Sequence, residues 1–276
     1  MRCPEVSEDF TFFFGCASGS SKAALKRAEE PNVMINFCTH NNKPWLGIEN
    51  LFIDSGGYSF LKNKGEYNRT NREYINYVYT YSPNYFSLRD YPCEKDLLTD
   101  LNRNVKDHQK KTNEKHRELL ELFESWGKNV ESQPVSVIQG QTIDDYLRHY
   151  DQLKENGLLT DYCAIGSLCG RKKVEEIRQI VIKLRQEIPN RIKLHGFGIK
   201  KSSLKYKSVL KSLDSSDSNA WDVGGSSIPQ IDGRVSGGKR KSWLDSMHGY
   251  IHLKRDVNNY KNQDNNQQTI SQFNKV

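Results

Sequence analysis

Between residues 10 and 217 the chain alternates short continuous apolar runs with longer segments whose apolar residues return every three or four positions. The runs are FTFFFGC (10–16), VMINF (33–37), LFID (51–54), YFSL (85–88), PVSVIQ (134–139), YCAIG (162–166), IKLHGFG (192–198) and LDSSD (213–217). Runs without polar alternation fit strands of a parallel sheet covered on both faces. Between them, RKKVEEIRQIVIKLRQEI places Val174, Ile177, Val181, Leu184 and Ile188 on one helical face. TIDDYLRHYDQLKENG opens on Thr142 with Asp145 three residues later, a capping-box spacing, and closes at Gly157. SSKAALKRAEEP and SSLKYKSVLKS read as further helices. Leu97 to Trp126 reads as one long charged helix with Leu119, Leu120, Phe123 and Trp126 inward. Eight strands alternating with helices predict an α/β protein, a (β/α)8 TIM barrel over residues 1–256, with an open doubly wound sheet as the alternative. Residues 257–276 are polar and almost free of apolar spacing, which predicts a disordered Asn/Gln-rich tail.

Composition adds bounds. Forty-one Lys and Arg against 34 Asp and Glu give a net charge of +7, which suits a polyanion partner and equally a solvated Lys-rich surface. The six cysteines (Cys3, Cys16, Cys38, Cys93, Cys163, Cys169) include no C-x-x-C pair, which argues against a disulfide scaffold or a cysteine zinc cluster. The seven histidines include no H-E-x-x-H motif, so neither metal nor cofactor is expected. No apolar stretch is long enough to cross a bilayer. MRCPEVSEDF has no signal-peptide pattern, so a cytoplasmic protein is expected, in the host cytoplasm if viral.

In such a barrel, chemistry gathers where strands run out into the following loops. There the sequence puts Asp54, Asp90, Gln139-Gly140, Gly166-Ser167, Gly196-Phe197-Gly198, Asp214 and Asp217. Each has an ordinary structural alternative. Asp54 in DSGG can cap a turn, Asp90 can pair with neighbouring Arg89 at the surface, and Gln139-Gly140 can be a plain strand exit. Together they suggest a pocket for a flat polar ligand whose edge is read by hydrogen bonds.

Several of these segments resemble, in order, the motifs of tRNA-guanine transglycosylases. DSGGYSF is similar to their D-S-G-G-F, SVIQGQ to V-Q-G-G, and YCAIGSLCGRKK to Y-A-I-G-G-L-x-V-G-E. LHGFGIK is similar to L-M-G-V-G-x-P, and LDSSDSNAW to the D-x-F-D-C segment that bears the nucleophile. The resemblance implies that Asp217 attacks the ribosyl C1′ and that Asp54 handles the proton of the leaving or incoming base. It implies that Asp90, Gln139, Gly140, Gly166, Ser167 and Gly198 bind the base, with Tyr58 stacking on it. On this reading the glycines after Asp54 let a purine lie against the backbone.

The departures are specific too. The family's C-x-C-x-x-C zinc motif has no counterpart, NAWDVGG stands where P-T-R follows the nucleophile, and Ser167 replaces a second Gly. These features resemble the compact, zinc-less DpdA-type branch, found among phages and in bacterial modification clusters, which inserts 7-deazaguanine bases into DNA. The implied partners are DNA, or alternatively tRNA, a guanine or 7-deazaguanine base such as preQ0, and accessory modification proteins. Lys200, Lys201, Arg234, Lys239, Arg240 and Lys241 are the candidate phosphate contacts. The other readings are a non-catalytic nucleic-acid-binding subunit and a hydrolytic glycosylase.

Overall fold

The computed structural model describes residues 10–39, 42–125, 131–223 and 242–273, with side chains to residue 262. Eight parallel strands close into a barrel in chain order: β1 (Thr11–Cys16), β2 (Asn32–Asn36), β3 (Asn50–Asp54), β4 (Tyr85–Ser87), β5 (Gln133–Ile138), β6 (Tyr162–Ile165), β7 (Lys193–Gly196) and β8 (Ser215–Ser218). All eight runs anticipated from the sequence form strands, and β1 pairs with β8 to close the ring.

The strand alternation divides the core in two. Phe13, Met34, Phe52, Val135, Tyr162 and Ala164 point inward and fill the barrel. Their neighbours, such as Phe12, Phe14, Val33, Ile53 and Ile165, face outward and pack beneath the helices. Continuous apolar strands are thus explained, because both faces are covered.

The helices are α1 (Gly19–Arg27), α2 (Gly57–Lys64), α3 (Asn71–Tyr81), α4 (Lys95–Asp100), α5 (Val105–Ser125), α6 (Ile143–Glu155), α7 (Val174–Glu187), α8 (Lys201–Leu204), α9 (Lys207–Leu210), α10 (Ala220–Val223) and α11 (Trp243–Phe273). The Thr142–Asp145 capping box is present at α6. Three expectations change. The long helix from Leu97 is two helices, because Asn102 takes a left-handed φ of 48° and Asn104 caps α5, accepting the Asp107 N–H at 3.0 Å. Its inner residues Leu119, Leu120 and Phe123 do pack inward, while Trp126 lies outside the described residues. The segment 202–212 is two short turns, α8 and α9, rather than one helix. The polar tail expected from 257 begins inside α11. Tyr250, Leu253, Val257 and Tyr260 step by three and four along it, and the first three are buried, so the helix carries the packed stripe across that boundary.

Candidate active site

The C-terminal ends of the strands bring together four carboxylates. Asp54 ends β3, half-buried, with Asn36 Nδ2 donating to its Oδ2 at 2.7 Å and the Gly56 N–H to its Oδ1 at 3.1 Å. Burial pushes its carboxyl up to about 6; the two donors oppose this and the charge on Asp217 adds to it. Asp90, in the loop after β4, is buried and is pushed up to about 8 by that burial, with the charge on Asp54 adding. Gln139 Nε2 donates to Asp90 Oδ2. The ordinary alternative for Asp90, a surface ion pair with Arg89, is not made. Arg89 turns away into an aromatic cage, its Nη1 donating to the Arg69 carbonyl at 2.7 Å and to Asn71 Oδ1 at 2.8 Å.

The fourth carboxylate, Glu94, is not apparent from the sequence. It is buried, and its carboxyl is raised by burial. Ser167 Oγ lies 3.0 Å from Glu94 Oε2 and 2.6 Å from Gln139 Oε1, and accepts the Cys93 N–H at 2.7 Å. Its one signal was position, four residues after Asp90 in RDYPCE.

Asp217 on β8 is 9 % exposed; its Oδ1 accepts the Gly198 N–H at 2.7 Å and lies 3.2 Å from His195 Nε2. Asp214, expected beside it, lies below the start of β8 at the opposite end of the barrel. There its Oδ2 accepts the Leu194 N–H at 2.7 Å and Arg185 at 3.3 Å, a structural position.

The glycines lie close against the side chains of the cup. Gly56 takes a left-handed φ of 80° that turns its N–H onto Asp54. A Cβ on Gly57 would lie 2.9 Å from Asp90 Oδ1, and one on Gly166 would lie 2.2 Å from Gln139 Nε2. The direction in which a Gly57 side chain would project is thus occupied by Asp90 and Tyr67. Gly166 donates its N–H to Ile138 and accepts from Tyr146 OH at 2.8 Å, and Gly140 packs against the first turn of α6. Gly198, expected against the base, donates its N–H to Asp217. Tyr58 stands exposed on the rim with its hydroxyl 3.3 Å from Asp96 Oδ2. Phe197 is half-buried, with its ring centroid 4.7 Å from that of His195.

Of the basic residues, Lys200 donates to the Arg171 carbonyl at 2.6 Å and Lys201 pairs with Asp256 at 2.6 Å, so both are held by the protein itself. Arg234, Lys239, Arg240 and Lys241 lie outside the described residues. Among the described residues no three His, Cys, Asp or Glu side chains are grouped to hold a metal ion, and no helix is long and apolar enough to cross a membrane.

The raised carboxyls predict a stability slope. A carboxyl held above its unfolded value keeps its proton longer in the native state, so stability falls as pH rises toward the folded value. Buried His116 and His149, held below their ordinary values, act in the opposite sense up to about pH 6.5. Between about 6.5 and 8 the Asp90 slope remains. Thermal melts across that window should fall for the native chain and stay nearly flat for Asp90→Asn.

The C-terminal mouth of the (β/α)8 barrel, the end of this fold where catalytic residues gather, thus holds four carboxylates and a buried amide. The chain belongs to the DpdA family, DeoxyPurine in DNA protein A, whose family model matches residues 42–263. Membership implies, in general terms, a DNA transglycosylase of 7-deazaguanine modification. No curated protein matches the chain.

Proposed function

We propose that this protein exchanges guanine in DNA for a 7-deazaguanine such as preQ0 through a covalent intermediate on Asp217. The observation that carries this reading is the pairing of Asp54 with Asp217 at one mouth. They are close enough for the charge of Asp217 to raise the Asp54 carboxyl, and Asp54 is poised near neutrality. Asp217 Oδ2 attacks C1′ as the bond from C1′ to N9 breaks, and the departing guanine takes the proton of Asp54. The incoming base then gives its N9 proton to the Asp54 carboxylate as N9 attacks C1′ and Asp217 is released. Asp90, Gln139, Ser167 and Glu94 would face the hydrogen-bonding edge of the base. Asp90 is the acceptor suited to the donors of a guanine-like edge, because it ionises more readily once those donors replace lost water. The target nucleotide has to leave the duplex stack to reach this recessed cup.

The test is incubation of the full chain with labelled preQ0 and guanine-containing duplex DNA or, separately, tRNA. Label entering DNA is expected. Label entering tRNA alone would replace this reading with exchange in tRNA, and guanine released without incorporation would replace it with hydrolysis.

A further inference from the structure

Below Asp217, inside the barrel, three polar side chains continue the line of its hydrogen bonds. His195 on β7 is the cross-strand partner of Ser215 on β8, and Asp217 is two residues further along β8, on the same inward face. His195 Nε2 lies 3.2 Å from Asp217 Oδ1, and its Nδ1 lies 2.6 Å from Ser215 Oγ. Ser215 Oγ in turn meets Tyr162 OH. His195 is fully buried, its ring held by Phe52 and Phe197 at centroid distances of 5.0 and 4.7 Å.

We propose that His195 is a positioning residue for the nucleophile, with its tautomer set by the chain Tyr162–Ser215. A carboxylate only accepts, so Nε2 must carry a proton. The chain closes on a neutral ring with each donor used once: Tyr162 O–H to Ser215, Ser215 O–H to Nδ1, and Nε2–H to Asp217. Among the described residues both donors to Asp217, His195 and Gly198, fall on Oδ1. They fix the rotation of the carboxylate and leave Oδ2 to face C1′. They also stabilise the free carboxylate, which helps Asp217 leave when the second base attacks. The two contacts together satisfy both ring nitrogens of a histidine buried inside an aromatic barrel, where an unpaired imidazole would be costly.

This inference rests on Asp217 being the nucleophile, so its test has one arm that does not. In full-length protein with 15N-labelled histidine and no substrate, the His195 ring, assigned by its loss in His195→Gln, should show a protonated Nε2 and a bare Nδ1. Ser215→Ala should shift it toward a mixture of tautomers. A protonated Nδ1 in the native chain would overturn the proposal. In the activity arm, His195→Leu should lose about 10–100-fold in kcat, with KM for DNA changed less than about twofold. His195→Gln, whose amide can donate at the Nε2 position, should recover part of that loss. A His195→Leu variant at native kcat, or one altered only in KM, would overturn it. Should His195→Leu fail to melt like the native chain, Ser215→Ala and Tyr162→Phe carry the same kcat test. Exchange surviving in Asp217→Ala would remove the nucleophile itself, whatever the tautomer. Exchange lost in Asp217→Ala but intact in His195→Leu would remove this proposal alone.

Discussion

Asp217→Ala is expected to abolish base exchange in DNA, by about 10⁴-fold or more, while the barrel still melts as a folded protein. The loss is large because no other carboxylate can take over. Asp54 is turned toward Asn36 and Gly56, and Asp90 is tied to Gln139. The fold should survive, because the barrel is built by the apolar inward layer and by the helices outside it, neither of which needs the Asp217 side chain. Removing its charge also removes one cause of the raised Asp54 carboxyl, so Asp54 should ionise at lower pH in the variant. Incorporation assays beside thermal melts check both halves. Exchange near the native rate in a folded variant would refute the assignment.

The second large effect is on Asp54. Asp54→Asn is expected to slow exchange by about 10²–10⁴-fold, the usual range for losing a general acid–base. Its pH dependence has a definite sign. Displacement of guanine needs Asp54 protonated, and burial holds that carboxyl at about 6. In a single turnover measured up to formation of free guanine, the native rate should therefore fall as pH rises above about 6. In Asp54→Asn the rate should be low and should lack that limb. A native limb that survives in Asp54→Asn would assign the proton to another group.

Strand positions were legible in the sequence because every strand is covered on both faces, so burial wrote itself as unbroken apolar runs. Even the Ser- and Asp-rich β8 was placed, although its bounds moved from 213–217 to Ser215–Ser218 and took Asp214 out of the mouth. Asp54, Asp90, Gln139 and Asp217 stand at strand ends, and a polar residue closing an apolar run is visible in one dimension. Glu94 and His195 were not, for different reasons. Glu94 lies in a loop whose path is set by contacts to Ser167 and Cys169, more than 70 residues away along the chain. His195 was visible as a residue, but spacing rules search for metal ligands, and its role comes from strand register against Ser215 and Asp217. The same limit affected the glycines. DSGG announced a close approach to the backbone, but not that the approaching group is the protein's own Asp90. Helix ends were missed where one Asn in a left-handed turn outweighs a continuous helical pattern, as at Asn102.

The most direct test of a covalent exchange at Asp217 is to trap the intermediate. The full chain is mixed with guanine-containing DNA without an incoming base, quenched, digested and analysed by mass spectrometry. The account predicts DNA attached through a deoxyribosyl ester to the peptide that contains Asp217, and its disappearance when preQ0 is added before the quench. An ester on Asp54, or full exchange activity with no adduct at any residue, would contradict it.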